Sequence, residues 1–296
     1  MNLLTFRLSF HLGFPAAALL AATALASPAR ADEWTKTYAV SAKPQLQVET
    51  GDGQVSVESW DRKEIHARVI STGARIGVGS WDSRQVNVRD EQSGDRVGLH
   101  VKVPHLHWMI GVNTLSVKIE LKVPRECGLD IHTADGSISA NGVKGEIVLV
   151  SGDGSIRLDG VSGQIRLRTG DGSTEADRLD GQLDASSGDG HIRVEGRFDR
   201  LELRAGDGSI HARALLGSKM LSGWSLHTGD GSIDLALPES FQANIDVRTN
   251  DGTISLGLPV TSEGGLNRTS IHGKLNGGGQ PLSISTGDGS IRISRI

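Results

Sequence analysis

The chain has 296 residues, of which 39 are glycine and 8 are proline, and no Gly-X-Y period runs through it. Glycine is far more common than usual while proline is scarce, which excludes collagen-like and proline-rich disordered chains. A hydrophobic fraction of 37%, an aromatic fraction of 4% and a formal net charge of −4 predict a thin aliphatic core and argue against nucleic-acid binding.

Residues 1–31 have the pattern of a secretory signal peptide. Arg7 supplies a positive start, residues 14–26 form an apolar run, and Ala29-Arg30-Ala31 is a small-x-small cleavage site. The run is shorter than the about 20 residues that a membrane-spanning helix needs, and an uncleaved anchor helix is the alternative. We therefore predict an exported protein, located in the periplasm, on the cell surface or in the medium, whose mature chain has no transmembrane segment.

Residues 32–128 form a less regular, β-rich part of the chain. Short stretches such as 55–57 and 115–123 alternate apolar and polar residues, as half-buried strands do, but no fixed interval relates them. We predict that this part caps the end of the repeat region that follows, because an exposed sheet edge favours aggregation.

Residues 129–296 are organised by a repeated Asp-Gly turn, usually within the sequence GDGSI. The first five copies follow one another at intervals of 18 residues, and the later intervals are longer. The predicted turn residues are Asp135, Asp153, Asp171, Asp189, Asp207, Asp230, Asp251 and Asp288. A period of this kind is typical of an architecture in which successive units stack.

Each 18-residue unit has the pattern strand, turn, strand, turn. Within residues 153–170, Ile156 and Leu158 alternate with polar residues, and Ile165 does so in the second half. Stacking the units in register aligns these residues in aliphatic columns, one of which contains Thr174. We predict an all-β chain whose repeat region is a parallel β-solenoid of about 18-residue coils. The alternative is a meander of β-hairpins, which Asp-Gly turns also favour.

The outward positions of the repeats predict ion pairs between neighbouring coils. Arg157 aligns with Glu175, and Arg166 aligns with Asp184, so opposite charges adjoin. This pattern is typical of solubility and register control, and it makes these arginines weak candidates for ligand binding.

The chain resembles the bacterial putative-adhesin family of β-strand repeat proteins of unknown function. The likeness rests on the signal peptide, GDGQVSVESW at 51–60, LKVPRECGLDIHT at 121–133, the serial TGDGSI turns and the closing segment 271–296. It covers nearly the whole chain after residue 31. The resemblance implies an envelope or secreted β-solenoid and carries over no catalytic residue.

The repeated turn aspartates allow a structural and a functional interpretation. In the structural one, which we predict, glycine supplies the positive φ of a tight turn and the carboxylate accepts N–H bonds of its own turn. In the alternative, the carboxylates form a calcium ladder, because oxygen ligands stacked at about 4.8 Å could share hard cations. The chain lacks the nonapeptide repeat of calcium-binding β-helices, so we predict no metal and no cofactor.

Unique residues outside the repeats are weak candidates for chemistry. His105 and His107 share one face of a predicted strand, but without a cysteine or acidic partner a surface pair is favoured over a metal site. Cys127 is the only cysteine, so it forms no internal disulfide, and the sequence indicates no activating partner for it. We therefore assign no catalytic residue.

Two segments depart from the 18-residue period, and we predict candidate binding loops there. The alternative is that both are surface loops that lengthen a coil. The first segment spans 213–226 and the second spans 259–281. Their candidate binding residues are Lys219, Trp224, Glu263, Arg268, His272 and Lys274.

Together these features predict a secreted or envelope-associated, non-enzymatic β-repeat protein that acts as an adhesin or as a binding or structural module. The expected partner is an envelope polysaccharide or another surface protein, and not a nucleic acid. The alternative function is a polysaccharide lyase or hydrolase on a β-helix scaffold, which would require two convergent carboxylates in a groove.

Overall fold

The structure is a computed structural model that describes residues 30–41, 43–75, 86–103, 113–262 and 267–296. Every regular element in these ranges is a β-strand, so the predicted all-β class is confirmed. None of the described residues forms a helix long and apolar enough to cross a bilayer. The predicted signal segment up to residue 29, and also His105, His107 and Glu263, lie outside the described residues.

The described strands fall into three groups along the chain. Those before the regular repeats are β1 (Arg30–Ala39), β2 (Gln45–Thr50), β3 (Gln54–Trp60), β4 (Glu64–Arg75), β5 (Asn87–Ser93), β6 (Arg96–Lys102) and β7 (Asn113–Pro124). Those of the repeats are β8 (Gly128–Thr133), β9 (Ile138–Asn141), β10 (Lys144–Ser151), β11 (Ile156–Asp159), β12 (Ser162–Thr169), β13 (Thr174–Ser187), β14 (Ile192–Ala205), β15 (Ile210–Ala214), β16 (Trp224–Thr228) and β17 (Ile233–Leu237). The last group is β18 (Ala243–Thr249), β19 (Ile254–Leu256), β20 (Val260–Ser262), β21 (Ser270–Leu275), β22 (Pro281–Thr286) and β23 (Ile291–Arg295).

Two parallel ladders carry the repeats. The first ladder joins β8, β10, β12, the C-terminal halves of β13 and β14, and β16. The second ladder joins β9, β11, the N-terminal halves of β13 and β14, β15 and β17. One coil therefore contributes one strand to each ladder, which gives the repeat region a β-solenoid-like arrangement.

The register of the ladders is the one that the 18-residue period predicts. Ile156 pairs with Ile138 on one side and with Thr174 on the other. Ile165 pairs in the same way with Ile147 and Leu183. The Asp-Gly turns of these coils connect a strand of the first ladder to a strand of the second, so they do not close the hairpins of the alternative prediction.

Strands outside the regular repeats extend both ladders. At one end β2 and β6 continue the first ladder, and β3 and β7 continue the second. Pairing thus crosses the predicted domain boundary at residue 128. The outer edges of β6 and β7 are covered by the antiparallel strands β5 and β4, and β4 in turn pairs with β1.

The other end of the stack is not in chain order. The last coil, residues 281–296, lies between the coil of residues 224–237 and the coil of residues 243–256, because β22 pairs with both β16 and β18 and β23 pairs with both β17 and β19. An antiparallel hairpin of β20 and β21 covers the outer edge of β18.

The hydrophobic core lies between the two ladders and follows the stack. Its columns consist mainly of buried isoleucine, leucine, valine and alanine, and the bulky exceptions are Tyr38, Phe198, Trp224 and Phe241. Each strand alternates buried and outward-facing residues, so the chain carries a second set of columns on its outer surface. Those outer columns and the turns are where a ligand could bind.

Candidate functional site

The Asp-Gly turns stack into one exposed edge of the molecule. The amide nitrogen of Gly170 donates to the carbonyl oxygen of Gly152 in the coil before it at 2.6 Å, and Gly188 donates to Gly170 in the same way at 2.7 Å. The resulting aspartate edge consists, in spatial order, of Asp52, Asp135, Asp153, Asp171, Asp189, Asp207, Asp230, Asp288 and Asp251, all exposed. Asp52 belongs to this edge although it precedes the regular repeats.

The turn aspartates do not make the hydrogen bonds expected of them. In the described part of the chain, no hydrogen bond reaches the carboxylates of the eight aspartates predicted from the repeat. The same described residues contain no group of three or more histidine, cysteine, aspartate or glutamate side chains that could hold a metal ion. These eight aspartates are therefore exposed residues of the turns whose side chains do not close them.

Buried hydroxyl groups bind the turns instead. The residue two positions before the turn aspartate is a buried serine or threonine in seven coils, and we call these residues the hydroxyl column: Thr133, Ser151, Thr169, Ser187, Thr228, Thr249 and Thr286. The Thr169 hydroxyl lies 3.2 Å from the carbonyl oxygens of both Gly152 and Gly154, in the coil before it. Within one turn, the Gly154 amide donates to the Ser151 hydroxyl at 3.0 Å. In the sequence, the signal for this hydroxyl column is the Ser or Thr that opens each turn, which is a less regular feature than the aspartate.

The second glycine of each turn is required by close packing, and not by a positive φ as predicted. Neither glycine of the Gly-Asp-Gly turns has a positive φ. A Cβ added at Gly190 would lie 2.1 Å from the carbonyl oxygen of Gly172, and one at Gly208 would lie 2.1 Å from that of Gly190. Adjacent turns therefore approach too closely for any side chain at this position.

The outward columns carry the ion pairs that the sequence predicts. Arg157 Nε lies 3.1 Å from Glu175 Oε2, and Arg166 Nε lies 3.9 Å from Asp184 Oδ2. Glu202 accepts from Arg200 at 2.7 Å and from Arg204, and these hydrogen bonds, Arg200 first, hold the pKa of Glu202 below its ordinary value. The surface of the ladders is thus polar but largely neutralised within the chain.

A shallow polar groove runs along the outer face of the first ladder. It consists of two adjoining depressions, of about 300 and 110 Å³, which share Glu146 and Val148. The polar side chains that line this polar groove are Gln45, Gln47, Arg96, Asp130, Glu146, Gln164, Arg166, Gln182, Asp184 and Arg200. Because neighbouring strands are about 4.8 Å apart, the groove presents a donor or acceptor at each step of the stack.

The first predicted binding loop divides into an exposed and a buried part. Lys219 is exposed, as a binding residue must be. Trp224 is only 1% exposed and occupies the core column between Leu201 and Leu282, with its ring centroid 6.3 Å from that of Phe198 and 5.0 Å from that of Phe241. The assignment of Trp224 to a binding loop is therefore wrong: it fills the core where the coil is lengthened.

The second predicted binding loop is largely the hairpin of β20 and β21. Arg268, His272 and Lys274 are exposed, and His272 Nδ1 lies 3.2 Å from Asp246 Oδ1 on β18. None of these three residues lines the cleft beside Lys219, although Gly279 and Gln280, at the end of the second segment, line it together with residues 216–220 of the first.

Cys127 is buried in the core. Burial raises the pKa of its thiol to about 12, so the thiolate is scarce at neutral pH. Its sulfur lies 3.3 Å from the carbonyl oxygen of Gly128. The surroundings of this cysteine therefore indicate a role in packing the core.

Comparison with known proteins finds one matching family model and several solved structures of similar fold. A family model described as Toastrack DUF4097 matches residues 45–294. Similar solved structures include a putative cell adhesion protein from Clostridium sporogenes (15% identity, 90% of this chain and 100% of the other, TM-score 0.32) and a putative lipid binding protein from Parabacteroides distasonis (15%, 88% and 96%, 0.49). A third is a putative adhesin from Bacteroides fragilis (10%, 90% and 97%, 0.36). The search of curated proteins found no similar sequence.

Proposed function

Because the chain belongs to the Toastrack DUF4097 family, whose model matches residues 45–294, we propose that it is an exported, non-enzymatic binding module of the cell envelope. The proposed ligand is an envelope polysaccharide that lies along the polar groove. The observation that carries this proposal is the groove itself, which follows the stack and offers amide, guanidinium and carboxylate groups coil after coil. The family match agrees with the resemblance drawn from the sequence motifs.

The scaffold that we propose is a parallel β-solenoid, and the pairing of the strands supports it. The coils from residue 128 to 214 pair residues 18 apart in both ladders, except at residues 179–181, which pair with residues 196–198 through a local register shift. Such a scaffold spaces side chains at regular intervals along an extended surface, and a polymer with repeating hydroxyl groups suits that spacing. Export is proposed from the signal-like pattern of residues 1–31.

The chemistry of the groove favours a sugar polymer over a strongly charged ligand. Gln164 and Gln182 pair in register on adjacent strands and offer both donors and acceptors to hydroxyl groups. Arg166 and Asp184 beside them neutralise each other. A polymer can therefore bind by hydrogen bonds without displacing a buried charge.

Glycan binding tests the proposal directly. The chain without residues 1–31 would be applied to an array of bacterial polysaccharides, and affinities for the ligands found would be measured by calorimetry. We expect the double substitution Gln164→Ala and Gln182→Ala to weaken binding about thirtyfold, because it removes two groups that each contribute about 1 kcal/mol.

The matched control is Gln54→Ala, which removes an exposed glutamine from the second ladder. It should leave the affinity unchanged. Absence of binding on the array, or equal loss in the control, would contradict the polar groove as the site. Shortening of a bound polysaccharide over time, detected by mass spectrometry, would instead support the alternative of a lyase or hydrolase.

A further inference from the structure

The loop of residues 215–223, between β15 and β16, contains two of the three large hydrophobic residues that are exposed in the described chain. Leu216 is 76% exposed and Leu221 is 68% exposed, and the other exposed large hydrophobic residue in the described ranges is Ile296 at 40%. We call residues 215–223 the leucine loop. Beside it lies an open cleft of about 460 Å³, lined in part by Leu216, Met220 and Phe241. Exposure of two leucine side chains on one short loop leaves apolar surface in water at a cost in free energy, which indicates a binding surface.

The leucine loop is held in place by the strand beside it. The amides of Lys219 and Leu221 donate to the carbonyl oxygens of Phe198 at 2.9 Å and Asp199 at 3.1 Å. The Ser218 hydroxyl donates to Leu215 at 2.8 Å and accepts from the Phe198 amide at 3.1 Å. Met220 packs against the core. The two leucines are therefore presented outward by a fixed backbone.

The charge of the leucine loop is opposite to that of the whole chain. Lys219 is exposed, and no acidic residue occurs from Ala214 to Thr228, although the chain has a net charge of −4. The cations next to the loop are already paired: Arg197 bonds to Asp199 at 2.7 Å, and Arg213 lies 3.8 Å from Glu195. Lys219 is thus a local positive charge between two apolar side chains.

We propose that the leucine loop docks this protein onto an anionic phospholipid surface. Leu216 and Leu221 enter the boundary between headgroups and acyl chains, and the Lys219 ammonium contacts lipid phosphates. This surface shares no lining residue with the polar groove, which follows the outer face of the first ladder and ends at Arg200, next to the residues that hold the loop. A bound polysaccharide and a membrane could then be held at the same time.

The size of the apolar surface favours a membrane over a protein partner. A stable protein interface takes about 20–30 residues from each side, whereas the apolar surface here is limited to the leucine loop and its cleft and is bordered by the ion pairs of Arg197 and Arg213. Two leucines and a lysine on a rigid loop are too small for such an interface. They are sufficient for reversible adsorption to a bilayer, where apolar insertion and charge attraction add.

Vesicle flotation tests the proposal. The chain without residues 1–31 is mixed with vesicles of phosphatidylcholine and phosphatidylglycerol, or of phosphatidylcholine alone. We expect binding to the anionic vesicles, weakened at least about tenfold by the double substitution Leu216→Ser and Leu221→Ser. Lys219→Gln should weaken binding about fivefold, and the loss should disappear on vesicles without phosphatidylglycerol.

Two matched controls accompany these variants. Ile296→Ser removes apolar surface outside the leucine loop, and Lys122→Gln removes an exposed lysine at the other end of the stack; both should bind as the wild type does. Circular dichroism melting confirms that each variant is folded. Failure of the wild type to bind, or equal loss in a control, would overturn the proposal. Concentration-dependent dimers that the double substitution abolishes, without vesicle binding, would assign the loop to self-association instead.

Discussion

Two fully buried threonines, Thr174 and Thr228, differ in what their hydroxyl groups contact. The Thr174 hydroxyl has no hydrogen-bond partner, whereas that of Thr228 lies 2.8 Å from the carbonyl oxygen of Gly208. We expect Thr174→Val to raise the free energy of unfolding by about 1 kcal/mol, because it removes an unsatisfied group from an aliphatic column. Thr228→Val should lower it by about 1–3 kcal/mol. Urea unfolding of both variants measures the contrast, and equal effects would contradict it.

Adding one methyl group at the second glycine of a turn should lower the stability of the fold strongly. In Gly190→Ala the new Cβ would lie 2.1 Å from the carbonyl oxygen of Gly172, so adjacent turns must move apart. We expect a loss of about 3 kcal/mol in the free energy of unfolding. Gly51→Ala is the control, since its Cβ would meet no atom within 4 Å and its φ is not positive. A thermal melt of Gly190→Ala that matches the control would show that the turns are not close-packed.

The hydroxyl column, which links the turns of successive coils, has one gap. Ala205 occupies the position that serine or threonine fills in the neighbouring coils, and it pairs with Ser187 on one side and with Thr228 on the other. In Ala205→Ser the new hydroxyl could donate to a turn carbonyl of the preceding coil, as Ser187 does to Gly172 at 3.2 Å. We expect a gain of about 1 kcal/mol in stability, measured by urea unfolding. No gain would mean that the close approach of the turns, and not the hydroxyl bonds, sets their spacing.

The strands and their register were predictable where the repeat is regular. Alternation of apolar and polar residues identifies the strands, and a constant interval of 18 residues fixes which residues pair, as Ile156 with Thr174. The interval does not encode the order of coils once it varies. The turns of Asp230, Asp251 and Asp288 have nearly the same sequence, so nothing local indicates that Asp288 lies between the other two.

The surface sites were less predictable than the core. Trp224 lies in a segment that breaks the repeat, which favours assignment to a loop, but its large apolar side chain fills a core column. The polar groove combines residues as distant in sequence as Gln45 and Arg200, and only the stacking of the coils brings them to one face. Composition and periodicity carry no signal for such a combination.

Carboxylates that are hydrogen-bonded to lysine or arginine side chains predict that the whole molecule loses stability in acid. Hydrogen bonds from Lys36, Lys118 and Arg200 lower the pKa values of Asp90, Glu120 and Glu202. A carboxyl group with a lowered pKa in the folded state stabilises that state above its unfolded pKa and loses this contribution as the pH falls through its folded pKa. The melting temperature should therefore be steady near neutral pH and fall below about pH 4.5.

Glu202→Gln tests the part of the acid sensitivity that belongs to Glu202. The variant should melt lower than the wild type at neutral pH, and the difference should shrink as the pH falls, since protonated Glu202 also loses its ion pairs. Asp171→Asn is the control, because its carboxylate accepts no hydrogen bond in the structure. A pH-independent difference for Glu202→Gln would contradict the argument.

The inserted last coil predicts that the end of the stack depends on the chain's final residues. Residues 281–296 supply Leu282, Ile284, Ile291 and Ile293, all fully buried between the coils of residues 224–237 and 243–256. Deleting them leaves both flanking coils with an unpaired edge and exposed apolar columns. In a stack stabilised by nearest neighbours, the loss should stay local. We expect hydrogen exchange to lose protection in β16–β19 but not in β10–β12.

Deletion of β1 is the comparison, because among the described strands it pairs with β4 alone and lies outside both ladders. It should leave the protection of β16–β19 unchanged. If the coil of residues 243–256 instead packed directly against the coil of residues 224–237 after the last coil was removed, their protection would survive the deletion. That outcome would show that coils of this stack are interchangeable, and that the order at this end is set by chain connectivity and not by side chains specific to the last coil.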